Sequence, residues 1–169
     1  FRYCIVWERG GYYLDINKSI GKPLTALHDL KDHAVISFEK NSTVVFPETD
    51  VARKLLFPEK IVLQWAFGFS KRHQVLQEAI NRIVDIAPFY EGREFNRILP
   101  TVVQFTGPGV LTWSMRKYLT ESSGKGVAQH PPDFSETGIT RIAESDFVFG
   151  EARHYSKFKH HRVLAPRGS

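Results

Sequence analysis

The stretch Arg2-Tyr3-Cys4-Ile5-Val6-Trp7-Glu8-Arg9-Gly10-Gly11-Tyr12-Tyr13-Leu14-Asp15-Ile16-Asn17 changes its hydrophobic period at the glycine pair. Ahead of it, Tyr3, Val6 and Trp7 recur at helical spacing, with Cys4 and Ile5 beside them, which predicts the last turns of a helix stopped by Gly10-Gly11. Behind it, Tyr12 to Asn17 reads as a short strand, apolar at first and polar at its end. Helix, glycine pair, strand and acidic terminus together place the chain in the α/β class.

The strand terminus carries the chemistry. Successive strand residues alternate faces, so Asp15 and Asn17 are expected to present their oxygens on one side. Two adjacent oxygen ligands suit a hard divalent cation, Mg²⁺ or Mn²⁺. Such an ion can hold a diphosphate and neutralise the charge that grows on it as a bond to it breaks. The tripeptide by itself also fits an ordinary turn.

Working outward, residues 34–39 and 42–46 are strand candidates joined by a turn at Lys40-Asn41. The segment 61–69 is apolar and interrupted by Gly68, which suits a strand or a loop. Apolar positions 75, 76, 79, 80, 83, 84 and 86 predict an amphipathic helix over 73–86 that stops near Pro88. A further helix is expected over 109–119, after the turn Thr106-Gly107-Pro108. Residues 122–138 read as a loop or lid, and 139–150 as extended chain ahead of a basic tail.

The 169 residues are 42% hydrophobic, enough for one packed domain and too many for a disordered tail. The one cysteine, Cys4, cannot form an internal disulfide and is expected to be a small buried hydrophobe. No run of 18 apolar residues is present. Net charge is +5, but 18 acidic residues are interspersed with 23 basic ones, which argues against a nucleic-acid surface. The basic density peaks over 153–167, a segment suited to a nucleotide diphosphate or to peripheral contact with an anionic membrane. The chain opens inside an apolar periodic segment, from which an upstream part is expected. It closes on Leu164-Ala165-Pro166-Arg167-Gly168-Ser169, which is either native or a protease-site linker with Ala in place of Val.

Residues 2–24 resemble the Asp-x-Asp region of the family 32 glycosyltransferases, which includes fungal mannosyltransferases and bacterial capsule enzymes and is related to clostridial glucosylating toxins. That pattern runs Asp-x-x-Arg-Tyr, an apolar turn, Gly-Gly, an aromatic, Leu-Asp-x-Asp and a downstream Pro-Leu. The chain matches at Arg2, Tyr3, Gly10, Gly11, Tyr13, Leu14, Asp15, Pro23 and Leu24. It departs at Asn17, where a neutral carbonyl oxygen replaces the second carboxylate. The pattern's first Asp would precede Phe1. The resemblance implies a GT-A-type fold, a Rossmann-like mixed sheet flanked by helices, whose N-terminal nucleotide-binding part lies outside this chain. It further implies a single catalytic-domain fragment over 1–169. Within it, 1–24 is the Asp-x-Asp region, 61–121 the helical, acceptor-side part, 122–138 a flexible loop and 151–169 a basic segment.

The implied activity is metal-dependent hexosyl transfer with retention, from a GDP- or UDP-hexose to a glycan, lipid-linked or protein acceptor. Asp15, Asn17 and Arg2 would be catalytic, Asp15 binding donor ribose and sugar hydroxyls. Asp15, Asn17 and His161 would be metal ligands for Mn²⁺ or Mg²⁺. Donor contacts are expected from Arg2, Gly10, Gly11, Tyr13 and Asp15. More distant matches add Gln64 and Trp65, Thr106 and Gly107, and the late pair His160-His161. From the residues alone, Trp65 suits core packing better, and His73 stands evenly between a surface first-turn residue and an active-site one. The compartment would be the Golgi lumen for a eukaryotic chain, and cytoplasmic or peripheral to the inner membrane for a bacterial one. The competing readings are a non-catalytic sugar-binding domain, a basic nucleic-acid-binding module and a metal-dependent nuclease or phosphatase. The last would need carboxylates that the sequence does not place.

Overall fold

The computed structural model describes residues 1–41, 49–141 and 161–166. The expected strand over 42–46, most of the extended segment over 139–150, and His160 therefore lie outside the described residues.

Helix α1 (Arg2–Arg9) ends at Gly10, which takes φ 71° and donates its amide to the Val6 carbonyl at 2.7 Å. A side chain at Gly10 would fall 2.7 Å from the Lys71 amide, so the turn needs glycine for both conformation and room. The chain then enters β1 (Gly11–Leu14), which pairs antiparallel with β4 (Ala66–Phe69). On its other side β4 pairs antiparallel with β3 (Ala34–Ile36), and β3 pairs parallel with β6 (Val127–Gln129). The sheet order is β1-β4-β3-β6, a mixed sheet in which β1, β3 and β6 run the same way. Ribbons of β2 (Lys18–Ile20) with β7 (Ile139–Arg141), and of β5 (Glu94–Phe95) with β8 (His161–Arg162), complete the strands among the described residues.

Strand alternation divides the core between the two sheet faces. One face carries Ala34, Ile36, Phe67 and Phe69 against Tyr3 and Val6 of α1, Val75, Leu76 and Ala79 of α2 (Gln74–Tyr90), and Val110, Leu111, Met115 and Leu119 of α4 (Pro108–Ser122). Val35 and Ala66 face the other way, toward Leu27, Leu63, Phe134 and Ile139, where short 3-10 turns and irregular chain form the cover. The molecule is thus mixed α/β, with α1, α2 and α4 sharing one hydrophobic cluster. No helix among the described residues is long and apolar enough to cross a membrane.

Several expectations need correction. The helix begun after His73 runs through Pro88 to Tyr90. Proline cannot donate to the Val84 carbonyl, but Val84 and Pro88 lie on an exposed side of the helix, so the lost bond is not a buried one. The last turn is held by Tyr90 stacking on Phe105, with centroids 4.3 Å apart. Phe105 closes α3 (Ile98–Phe105), a helix the sequence reading did not anticipate. The expected lid over 122–138 is turn and irregular chain for most of its length, but the three-residue β6 and buried Phe134 tie it to the sheet and the core. Cys4 is exposed, because α1 turns Tyr3 and Val6 inward.

His73 is buried and caps α2 rather than lying on the surface. Its Nδ1 accepts from the Val75 amide at 3.1 Å, so the ring proton sits on Nε2, which donates to Nδ1 of His33 at 2.9 Å. Burial, and then the neighbouring His33, push its pKa down to about 4. An unfolded chain takes up this proton near the ordinary histidine value of about 6.5, whereas the fold resists until about pH 4. Stability conferred by the neutral ring is complete above pH 6.5 and is lost as pH falls toward 4, about 3 kcal/mol in all. His73→Asn keeps a capping acceptor and removes the titration. Urea melts should show a smaller decline between pH 7 and pH 4.5 in the variant than in wild type; equal declines would contradict the assignment.

Candidate functional site

The β1 strand ends at Leu14, three residues before the Asn17 end read from the sequence, so Asp15 and Asn17 sit in the tight turn to β2 and strand alternation does not set the side on which their oxygens lie. The turn is closed by the Lys18 amide donating to the Asp15 carbonyl at 3.0 Å, and anchored by the Asp15 amide donating to the Trp65 carbonyl at 2.8 Å. Because β1, β3 and β6 run together, this turn lies at their carboxyl edge, where open α/β sheets bind ligands.

Around Asp15 the fold gathers residues from three distant segments. Tyr13, two residues back on the helix-facing side, donates its hydroxyl to Oδ1 of Asp15 at 2.8 Å. From the first turn of α1, Arg2 Nη1 reaches the same oxygen at 3.4 Å and the Gln64 carbonyl at 3.1 Å. The guanidinium also lies 4.8 Å from the Tyr13 ring centroid. Gln64, just ahead of β4, donates Nε2 to the Tyr3 hydroxyl at 2.6 Å and to the Thr106 carbonyl at 2.8 Å. Tyr3 in turn donates to the Gly107 carbonyl at 2.9 Å, at the N-terminus of α4. Arg2, Tyr3, Tyr13, Asp15, Gln64, Thr106 and Gly107 thus form one connected network, and Trp65 joins it through its carbonyl.

Electrostatics follow from this packing. Burial drives the Tyr3 hydroxyl far above the ordinary phenol range, so it stays protonated and holds its donor role. The Tyr13 phenol is raised too, chiefly by burial and then by its hydrogen bond to Asp15. One oxygen of the turn is left over: Oδ1 of Asn17 is buried and meets no hydrogen-bond donor. A buried carbonyl oxygen without a donor is costly, and a cation would satisfy it. Asp15 and Asn17 therefore fit as two oxygen ligands, although no three His, Cys, Asp or Glu side chains among the described residues converge as a metal set. The other ligands would come from the bound molecule or from water.

Trp65 is half-buried, as the core-packing reading of it expects. Its ring packs edge-to-face on buried Phe134 at 6.3 Å, and Lys18 Nζ lies 4.1 Å from its centroid beside the Asp15 turn. Gly10 and Gly11 lie at the opposite end of β1 from Asp15, so they shape the turn out of α1 and stand apart from the network. His161, expected as a metal ligand, lies in β8 paired with Phe95, in a ribbon separate from the sheet that carries the Asp15 turn. The residue that sequence reasoning missed is Tyr3 as the link between α1 and α4. Its one legible signal was the Arg-Tyr pair, in which Arg2 was weighed and Tyr3 was only matched.

Among known proteins, the chain is similar to the initiation-specific alpha-1,6-mannosyltransferases of two fungi. It is 26% identical over 134 residues to the Candida albicans protein, covering 70% of this chain and 34% of that one. With the Schizosaccharomyces pombe protein it shares 24% identity over 154 residues, covering 88% of this chain and 36% of the relative. The chain therefore spans about a third of the length of the curated relatives it matches. No family model matches the chain. These similarities support a relationship with glycosyltransferases.

Proposed function

We propose that this chain forms the cation- and donor-binding part of a metal-dependent hexosyltransferase that uses a nucleoside-diphosphate sugar. The observation that carries the reading is the convergence of Arg2, Asp15 and Gln64, from three distant segments, at the carboxyl edge of the sheet beside the undonated Asn17 oxygen. The similarity to the two fungal mannosyltransferases supports the same class, with a mannosyl donor and a glycan acceptor as the first to try.

In this reading, Asp15 and Asn17 hold Mn²⁺ or Mg²⁺, which when bound supplies positive charge against the diphosphate. Asp15 keeps Oδ1 oriented through Tyr13 and Arg2, and its second oxygen turns toward the ligand. Arg2, lying between Asp15 and the Gln64 carbonyl, exchanges its 3.4 Å contact with Asp15 for a donor sugar or phosphate oxygen. The exchange is cheap because the existing pair is long and both side chains are about one-third exposed. The one carboxylate in the network, Asp15, is already engaged by Tyr13 and Arg2. Transfer with retention then follows the front-face course, in which the departing phosphate oxygen takes the acceptor hydroxyl proton.

Asn17 in place of an acid favours a second reading, a domain that binds donor without turning it over. Calorimetric titration with GDP-mannose and UDP-hexoses, with and without Mn²⁺, tests the first claim. Metal-dependent binding of one donor is expected, and equal binding with and without metal contradicts it. Donor hydrolysis under the same conditions separates enzyme from binder.

A further inference from the structure

A second polar cleft lies at the other end of β1, against the amino edge of the parallel strands. It is open to solvent, has a volume of about 190 Å³, and is lined by Tyr12, His28, Asp32, His33, Phe69 and Ser70 among others. Nothing in the network around Asp15 uses these side chains.

The lining is built with care. Tyr12 lies opposite Gly68 in the β1–β4 register, and a side chain at position 68 would fall 2.7 Å from the Tyr12 ring. Gly126, at φ 70°, likewise leaves the space that the His33 ring fills. Two glycines thus make room for two rings of the cleft. The Tyr12 hydroxyl meets Nδ1 of His28 at 2.5 Å, and its pKa is pushed up to about 12 by burial and by Asp32. Nδ1 of His33 accepts from Nε2 of His73 at 2.9 Å, which fixes the orientation of the His33 ring. Asp32 takes the Asp29 amide on Oδ2 at 2.9 Å, and its other oxygen has no hydrogen-bond partner among the described residues.

This lining selects its ligand. The Asp32 carboxylate repels anions, and the polar groups disfavour a purely apolar guest. Imidazole, phenol and the Ser70 hydroxyl offer donors and acceptors together, which a polyol uses and a simple amine does not. A chain of net charge +5 also disfavours cations. The partly exposed Tyr12 ring, lying over Gly68, provides apolar surface for the C–H face of a sugar. We propose that this cleft binds one neutral hexose unit, with Asp32 and the Tyr12–His28 pair taking its hydroxyls and the Tyr12 ring beside its apolar face. The site is separate from the Asp15 cluster and does not depend on the function proposed for it. On a glycan-modifying protein it would hold a second residue of the glycan chain.

The test is an amide-shift titration of the ¹⁵N-labelled chain with methyl α-D-mannopyranoside and methyl α-D-glucopyranoside. One of them should give saturable shifts at Tyr12, Asp32, His33 and Ser70. Asp32→Asn, near-isosteric at a half-buried position, should bind that sugar about tenfold more weakly, the worth of one charge-assisted hydrogen bond. The same variant should bind nucleotide sugar as wild type does, so failure here is distinguishable from failure of the Asp15 reading. Absence of saturable shifts with both sugars, shifts confined to the Asp15 turn, or undiminished affinity in Asp32→Asn would overturn the proposal.

Discussion

Asp15→Ala should weaken Mn²⁺-dependent binding of the nucleotide sugar about a hundredfold, close to 2.7 kcal/mol, while changing fold stability by less than about 1 kcal/mol. The two halves of this expectation have separate causes. Binding suffers because the network loses its one carboxylate, the turn keeps a single neutral ligand in Asn17, and the cation holds the diphosphate. Stability barely changes because the Arg2 pair is long and partly exposed, and Tyr13 can donate its hydroxyl to water instead. Calorimetry on wild type and variant, with a urea melt of each, measures both quantities. Equal donor affinity in the two proteins would remove Asp15 from the site; a large stability loss would make it a structural residue instead.

Phe67→Ala should cost about 3–5 kcal/mol of folding stability, a substantial share of the total for a domain of this size. Phe67 is 1% exposed and lies at the centre of an aromatic group. It stacks on Tyr13 at 5.4 Å, meets Tyr3 at 6.1 Å and contacts Phe69 at 5.7 Å. Its neighbours come from a helix and two strands, so no single movement fills the space its ring would leave. Tyr13 and Tyr3 are also the two phenols that orient Asp15 and Gln64, so the same truncation should loosen the site. Urea unfolding at neutral pH gives the stability change; a loss below about 1 kcal/mol would mean that the site's aromatic floor is not a packed unit.

The elements legible in the sequence were those whose signal is local. The period change at Gly10-Gly11 marked α1 and β1, and the apolar spacing after His73 marked α2. The end of α2 was misread because Pro88 was taken as a stop, whereas its missing hydrogen bond falls on the exposed side and Phe105 secures Tyr90. Strand β6 has three residues and a partner about ninety positions earlier, so nothing near it in the sequence announces it among Ser, Gly and Pro. The same holds for the site. Arg2, Asp15 and Asn17 stood out as a motif, and Gln64, Thr106 and Gly107 as distant matches. That Gln64 ties them together through Tyr3 is a tertiary fact. His161 entered as part of the late His-His match, and its pairing with Phe95 is set by contacts that sequence order does not encode.

The most direct measurement is paramagnetic line broadening by sub-stoichiometric Mn²⁺ on the ¹⁵N-labelled chain in the presence of GDP. The account predicts that the amides of Asp15, Ile16, Asn17 and Lys18 broaden first, and that Mg²⁺ competes the effect away. Broadening centred on another part of the molecule, with the Asp15–Asn17 turn left sharp, would contradict it.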